Sequence, residues 1–83
     1  MKLLYFAWLK TKIGLAGEDV TPPASVATVS DLLTWLASRG PAYADALANR
    51  SVVRVAVNQA FARNDHPVAP DDEIALFPPV TGG

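Results

Sequence analysis

The sequence contains no cysteine. That absence removes disulfide bridges, thiolate metal sites and a thiol nucleophile together. Histidine is nearly missing as well. The single one, His66, sits in the turn-forming string Asn64-Asp65-His66-Pro67, where a solvated loop imidazole is expected rather than a general base. There is no basic run and the net charge is −1, so the electrostatic footprint of a nucleic-acid binder is lacking. The few aromatics are not interleaved with arginines as a single-strand binding platform requires. The apolar run Leu3-Leu4-Tyr5-Phe6-Ala7-Trp8-Leu9 is strand-sized and closed by Lys10 and Lys12, well short of a membrane span. Only Lys2 precedes that run and no convincing cleavage site follows it, so no signal peptide is expected and a cytoplasmic location is. The acidic residues Asp65, Asp71, Asp72 and Glu73 lack the alternating spacing and glycine of a calcium loop, so they read as a polar turn and no metal site is expected.

What is present is a folding chain. It has 83 residues, 51% of them apolar, enough for one modest core and too few for two. Lys2–Ala7 reads as a first strand, with Leu3, Tyr5 and Ala7 on one face and Lys2, Leu4 and Phe6 on the other. Trp8–Ile13 reads as a helical turn or two closed by Gly14. Glu18–Thr21 reads as a short strand pushed to an edge by Pro22 and Pro23. Thr28-Val29-Ser30-Asp31 resembles a capping box, and the helix it opens carries Val29, Leu32, Leu33 and Leu36 in one apolar stripe. Arg39 favours the end of that helix, Gly40 is expected to cap it, and Pro41 prevents continuation. A shorter helix is expected over Ala42–Ala48, with Tyr43 and Leu47 on one side. Val52–Val57 alternates as a strand, Asn58-Gln59 forms a hairpin turn, and Ala60–Arg63 returns. The last strand is Glu73–Phe77, with Ile74 and Leu76 inward.

These elements predict an α+β domain over residues 1–77, a mixed sheet of about four to five strands with one main helix packed on one face. Residues 78–83 form an extended tail. If the first and last strands are parallel neighbours in mid-sheet, the fold is a β-grasp, the architecture of ubiquitin. With no cysteine and no plausible base, the side chains make a poor enzyme, and the terminal carboxylate of Gly83 is the best remaining reagent. Parity leaves Leu4, Phe6 and Phe77 on the solvent side of neighbouring strands near the tail's root. Phe61 joins them, and clustered exposed aromatics mark an interface.

Val57-Asn58-Gln59, Asp65-His66-Pro67, Asp72-Glu73 and above all Phe77-Pro78-Pro79-Val80-Thr81-Gly82-Gly83 carry a resemblance. With Leu4-Tyr5-Phe6-Ala7 and the Thr28-Val29…Leu32 helix start, it covers the whole chain. The sequence resembles the family of small, sulfur-carrying subunits of molybdopterin synthase. Pro70-Asp71 departs from it, because many members have a glycine in that turn.

The resemblance implies a mechanism. An E1-like adenylating enzyme would use ATP to convert the Gly83 carboxylate into an acyl-adenylate, and a sulfur donor would displace AMP to leave a thiocarboxylate. No tightly bound cofactor is implied, since the sulfur is carried covalently at Gly83. Pro78, Pro79, Val80, Thr81 and Gly82 would thread into the large subunit of a heterotetrameric synthase, where the sulfur passes to cyclic pyranopterin monophosphate to build the dithiolene. No nucleic acid or membrane partner is implied. From Phe77 to Gly83 the extended chain reaches roughly 20 Å, and the two prolines hold its start extended. The alternatives are a ubiquitin-like modifier joined through Gly83 to a target lysine, the related sulfur carrier of thiamine biosynthesis, and a plain interaction domain.

Overall fold

The computed structural model describes residues 1–79, so the expected tail residues Val80, Thr81, Gly82 and Gly83 lie outside the described residues. Strand β1 spans Lys2–Tyr5 and buries Leu3 and Tyr5, as their parity requires. It was expected to continue to Ala7, but the chain turns at Phe6. Ala7 has φ 54° and opens helix α1 (Ala7–Ile13), so the strand stops at a left-handed residue that no local sequence signal marks. The helix ends as expected at Gly14, whose φ is 88° and whose N–H donates to the Lys10 carbonyl at 2.8 Å. Strand β2 is Gly17–Asp19 rather than Glu18–Thr21. The Val20 N–H still reaches the Met1 carbonyl at 2.9 Å, after which the chain leaves the sheet toward Pro22.

The capping box is real. Helix α2 (Val29–Ala37) begins with Thr28 Oγ1 accepting the Asp31 N–H at 3.2 Å. Asp31 Oδ2 in return accepts the N–H groups of Ala27 and Thr28 at 3.0 and 3.2 Å. The Ala27 hydrogen bond foremost, with those of Thr28, holds the Asp31 carboxyl below its ordinary range. The predicted stripe Val29, Leu32, Leu33 and Leu36 is buried throughout. The predicted cap at Gly40 is not. The helix closes at Ser38, and Gly40, with extended backbone, instead precedes α3 (Pro41–Ala46). That helix starts one residue before the expected Ala42, because proline's fixed φ suits the first helical position.

A single 3₁₀ turn at Arg50–Val52 leads into β3 (Arg54–Val57), which is shorter than the expected Val52–Val57. Asn58 and Gln59, at φ 51° and 70°, make the two-residue turn into β4 (Ala60–Ala62). Strand β5 is Glu73–Phe77. The sheet order is β2-β1-β5-β3-β4, with β1 and β5 parallel in the middle and the other pairings antiparallel. This is the predicted β-grasp. All three helices contribute to one core against one face, where Leu9, Leu32, Leu36 and Leu47 meet Leu3, Tyr5, Val55, Ile74 and Leu76. The helix layer is as expected, with α2 the longest helix and the two shorter ones beside it, α3 set between α1 and α2.

Candidate functional site

Because β5 is central and ends at Phe77, Pro78 and Pro79 leave from the middle of the sheet, from a strand paired on both sides. Both prolines are half-buried at this root. The face opposite the helices surrounds it. Strand registers place Gly17 beside Leu4, Leu4 beside Ala75, Ala75 beside Ala56, and Ala56 beside Phe61. One apolar row therefore crosses all five strands, roughly 19 Å wide at the usual interstrand spacing. Phe61 ends it, 80% exposed. Its ring lies 5.7 Å from that of Phe77, tilted by 48°, within the favoured range for an aromatic pair. Phe77 is half-buried and sits opposite Arg54 in the register. Phe6 is 48% exposed, and its N–H donates to the Leu76 carbonyl at 3.1 Å, which holds it beside the end of β5.

The four predicted face residues thus lie on one surface, with Phe61 and Phe77 in direct contact. In the row, Leu4 is separated from Phe61 by the two small side chains of Ala75 and Ala56. Gly17 is a member that sequence reasoning missed. A Cβ there would lie 2.7 Å from the Leu3 carbonyl oxygen and 3.2 Å from Leu4 Cδ2, so only glycine lets Leu4 lean over β2. A glycine in a short edge strand carries no such signal in sequence.

The midchain motifs turn out to hold the frame. The Asn58 side chain accepts the Glu73 N–H at 3.0 Å and donates to Asp72 Oδ1 at 3.0 Å, while Asp72 Oδ2 accepts the Ala69 N–H at 2.8 Å. The hairpin turn is tied in this way to the start of β5. Main-chain carbonyls of Asn64 and His66 accept the N–H groups of Ser30 and Val29, completing the cap of α2. His66 Nδ1 donates to the Pro67 carbonyl at 2.7 Å, a contact within the exposed turn.

One polar cluster was invisible in the sequence. The Glu18 carboxylate accepts from the Tyr5 hydroxyl at 2.8 Å, the Tyr43 hydroxyl at 2.6 Å and the Arg39 guanidinium at 2.9 Å. Arg39 also lies over the rings of Trp35 and Tyr43, about 5 Å from each centroid. Burial alone would raise the Glu18 carboxyl, but hydrogen bonds from Tyr43, Tyr5 and Arg39 outweigh it and hold the group below its ordinary range. Burial, reinforced by the carboxylate, pushes both tyrosine hydroxyls up. The cluster locks β1 and β2 to the helix layer. Arg39 was expected only to complement the end of α2.

The ThiS family model matches residues 3–83. The chain belongs to the ThiS family. Among ThiS-family relatives, the molybdopterin synthase sulfur carrier subunit of Escherichia coli (strain K12) is 37% identical over 83 residues, covering 100% of this chain and 99% of that one. The protein of the same name from Haemophilus influenzae is 35% identical, again over 100% of this chain and 99% of its own. The crystal structure of SAMP1 from Haloferax volcanii matches with a TM-score of 0.75 at 33% identity, covering 100% of this chain and 98% of that one. A putative molybdopterin converting factor, subunit 1, from Pyrococcus furiosus matches with a TM-score of 0.76 at 25% identity over 95% of each chain.

Proposed function

We propose that this chain is the sulfur-carrier subunit of a molybdopterin synthase, reactive at Gly83. The supporting observation is a likeness that spans 100% of this chain, the Phe77-to-Gly83 sequence included, and 99% of each curated sulfur carrier, with Pro78 and Pro79 following directly on the central strand.

The chemistry follows from the terminus. A free carboxylate is a poor electrophile because its charge repels nucleophiles. In the first step a Gly83 carboxylate oxygen attacks the α-phosphorus of ATP on an E1-like partner, and pyrophosphate leaves. A sulfur nucleophile then attacks the activated carbonyl carbon, the bond to AMP breaks, and a thiocarboxylate remains. Its sulfur is anionic at neutral pH and thiolate-like, hence a strong nucleophile. Gly82 and Gly83 have no Cβ to obstruct a narrow channel, and Pro78-Pro79 reduce the ordering cost of docking. The large subunit of the synthase receives the tail while Leu4, Phe6, Phe61 and Phe77 dock the domain outside. There the sulfur is delivered to cyclic pyranopterin monophosphate. Both partners and this chain work in the cytoplasm.

Deletion of Gly83 tests this reading: sulfur transfer to the precursor should vanish while thermal unfolding stays as in the wild type. Retained transfer would overturn it. The likeness to SAMP1, also described as a small archaeal modifier protein, favours a second reading in which the activated Gly83 ends in an isopeptide bond. Gly83-dependent ladders of conjugates in cell extract would support that fate; their absence would leave the carrier alone.

A further inference from the structure

Outside the apolar row, the most distinctive surface lies where β3 and β4 meet the 3₁₀ turn. A concavity of about 450 Å³ there is lined by Arg50, Arg54, Arg63, Ser51, Asn64 and Asp65, among others. Three of the four arginines in a chain of net charge −1 converge on it. Two are held ready. Arg50 donates to Thr34 Oγ1 at 3.0 Å, and Arg54 donates to the Ser51 carbonyl at 2.9 Å. These anchors are neutral. Among the described residues the ion pairs join Lys12 to Asp45 and Arg39 to Glu18, and none engages the three groove arginines. Asp65 also lines the concavity and offsets only part of the charge.

The groove is continuous with the tail's root. Arg54 pairs with Phe77 across the sheet and shares with Phe61 and Phe77 a second, smaller hollow of about 310 Å³. Resting on the carrier reading, we infer that the Arg50–Arg54–Arg63 groove is a docking surface for an acidic face of the subunit that takes up the tail. Guanidinium groups suit carboxylates because their planar forks match them bidentately, and their anchoring reduces the entropy lost on binding. Nucleic acid is the poorer fit, since the patch is short and the remaining surface carries no basic stripe. The groove's task is to steer the domain so that the tail enters the correct channel, an effect that falls with ionic strength.

The test measures association of the full chain with purified large subunit by stopped flow, at low and at high ionic strength. The triple variant Arg50→Gln/Arg54→Gln/Arg63→Gln should associate about tenfold more slowly at low salt and lose most of the salt dependence, with little change in dissociation. Because Arg50 also braces α2, the double variant Arg54→Gln/Arg63→Gln is measured beside it, and should show an intermediate loss with wild-type melting. Unchanged association rates and salt slope in both variants, with wild type binding normally, would overturn the inference while leaving the carrier reading intact. Failure of the wild type itself to bind would overturn the carrier reading, and the groove's partner with it. Binding of a labelled RNA oligonucleotide that disappears in the triple variant would overturn the assignment to a protein partner.

Discussion

The two faces of the sheet come from the same strands and do opposite work. On the inner face Leu3, Ile74 and Leu76 are wholly buried against the helices, and large branched side chains fill the space. On the outer face the same strands present Leu4, Ala75 and Ala56, small or half-buried groups in a flat row that ends in the exposed Phe61. The contrast follows from the two-residue period of a strand, which sends alternate residues to opposite sides. On the proposed reading, stability is written in one parity and recognition in the other, so mutation should separate them.

The largest separation is expected between Leu76 and Phe61. Leu76→Ala opens a cavity under the central strand and should cost about 2–5 kcal/mol of unfolding free energy by denaturant titration. Phe61→Ala should stay within about 0.5 kcal/mol of wild type in the same titration. A comparable loss from both would dissolve the distinction between the faces. The reverse ordering should hold for binding. Phe77→Asp places a charge beside the tail's root and should weaken affinity for the large subunit at least about tenfold by calorimetry. Unaltered affinity would remove Phe77 from the interface.

Glu18→Gln probes a third place, the polar lock between sheet and helices. The amide loses the charge that holds Tyr5, Tyr43 and Arg39, and should cost about 1–3 kcal/mol at neutral pH. The folded-state pKa of Glu18 is lowered, so its contribution is present above the unfolded carboxylate range and is lost as pH falls through the folded value. The stability gap between wild type and Glu18→Gln should accordingly narrow on acidification through and below the ordinary glutamate range. A gap independent of pH would contradict the assignment. The smallest effect is expected at the hairpin. Gln59 has φ 70°, so Gln59→Gly should raise the melting temperature slightly, by up to about 1 kcal/mol in stability, without changing partner affinity.

Much of this was legible in the sequence because it is encoded locally. The stripe of α2, its capping box, the Asn58-Gln59 turn and the parity of β5 each depend on residues within a few positions, and each stands as read. The misses depend on distance or on backbone geometry. Nothing near Ala7 announces a left-handed turn, so local pattern extends β1 two residues past its end at Tyr5. Gly40 looked like a helix cap because it precedes Pro41, yet that proline begins the next helix. Glu18 gathers partners 13, 21 and 25 residues away, and no local pattern encodes such a meeting. Gly17 and the arginine groove are likewise products of strand register. Within the candidate site, the four apolar face residues are legible from parity, whereas the row joining Leu4 to Phe61 required the fold.

The most direct measurement is the intact mass of the chain after incubation with ATP, the adenylating partner and a sulfur donor. A mass shift equal to one oxygen replaced by sulfur, localised by fragmentation to Gly83, is expected. An unchanged mass under conditions where the partner turns over ATP would contradict the carrier reading.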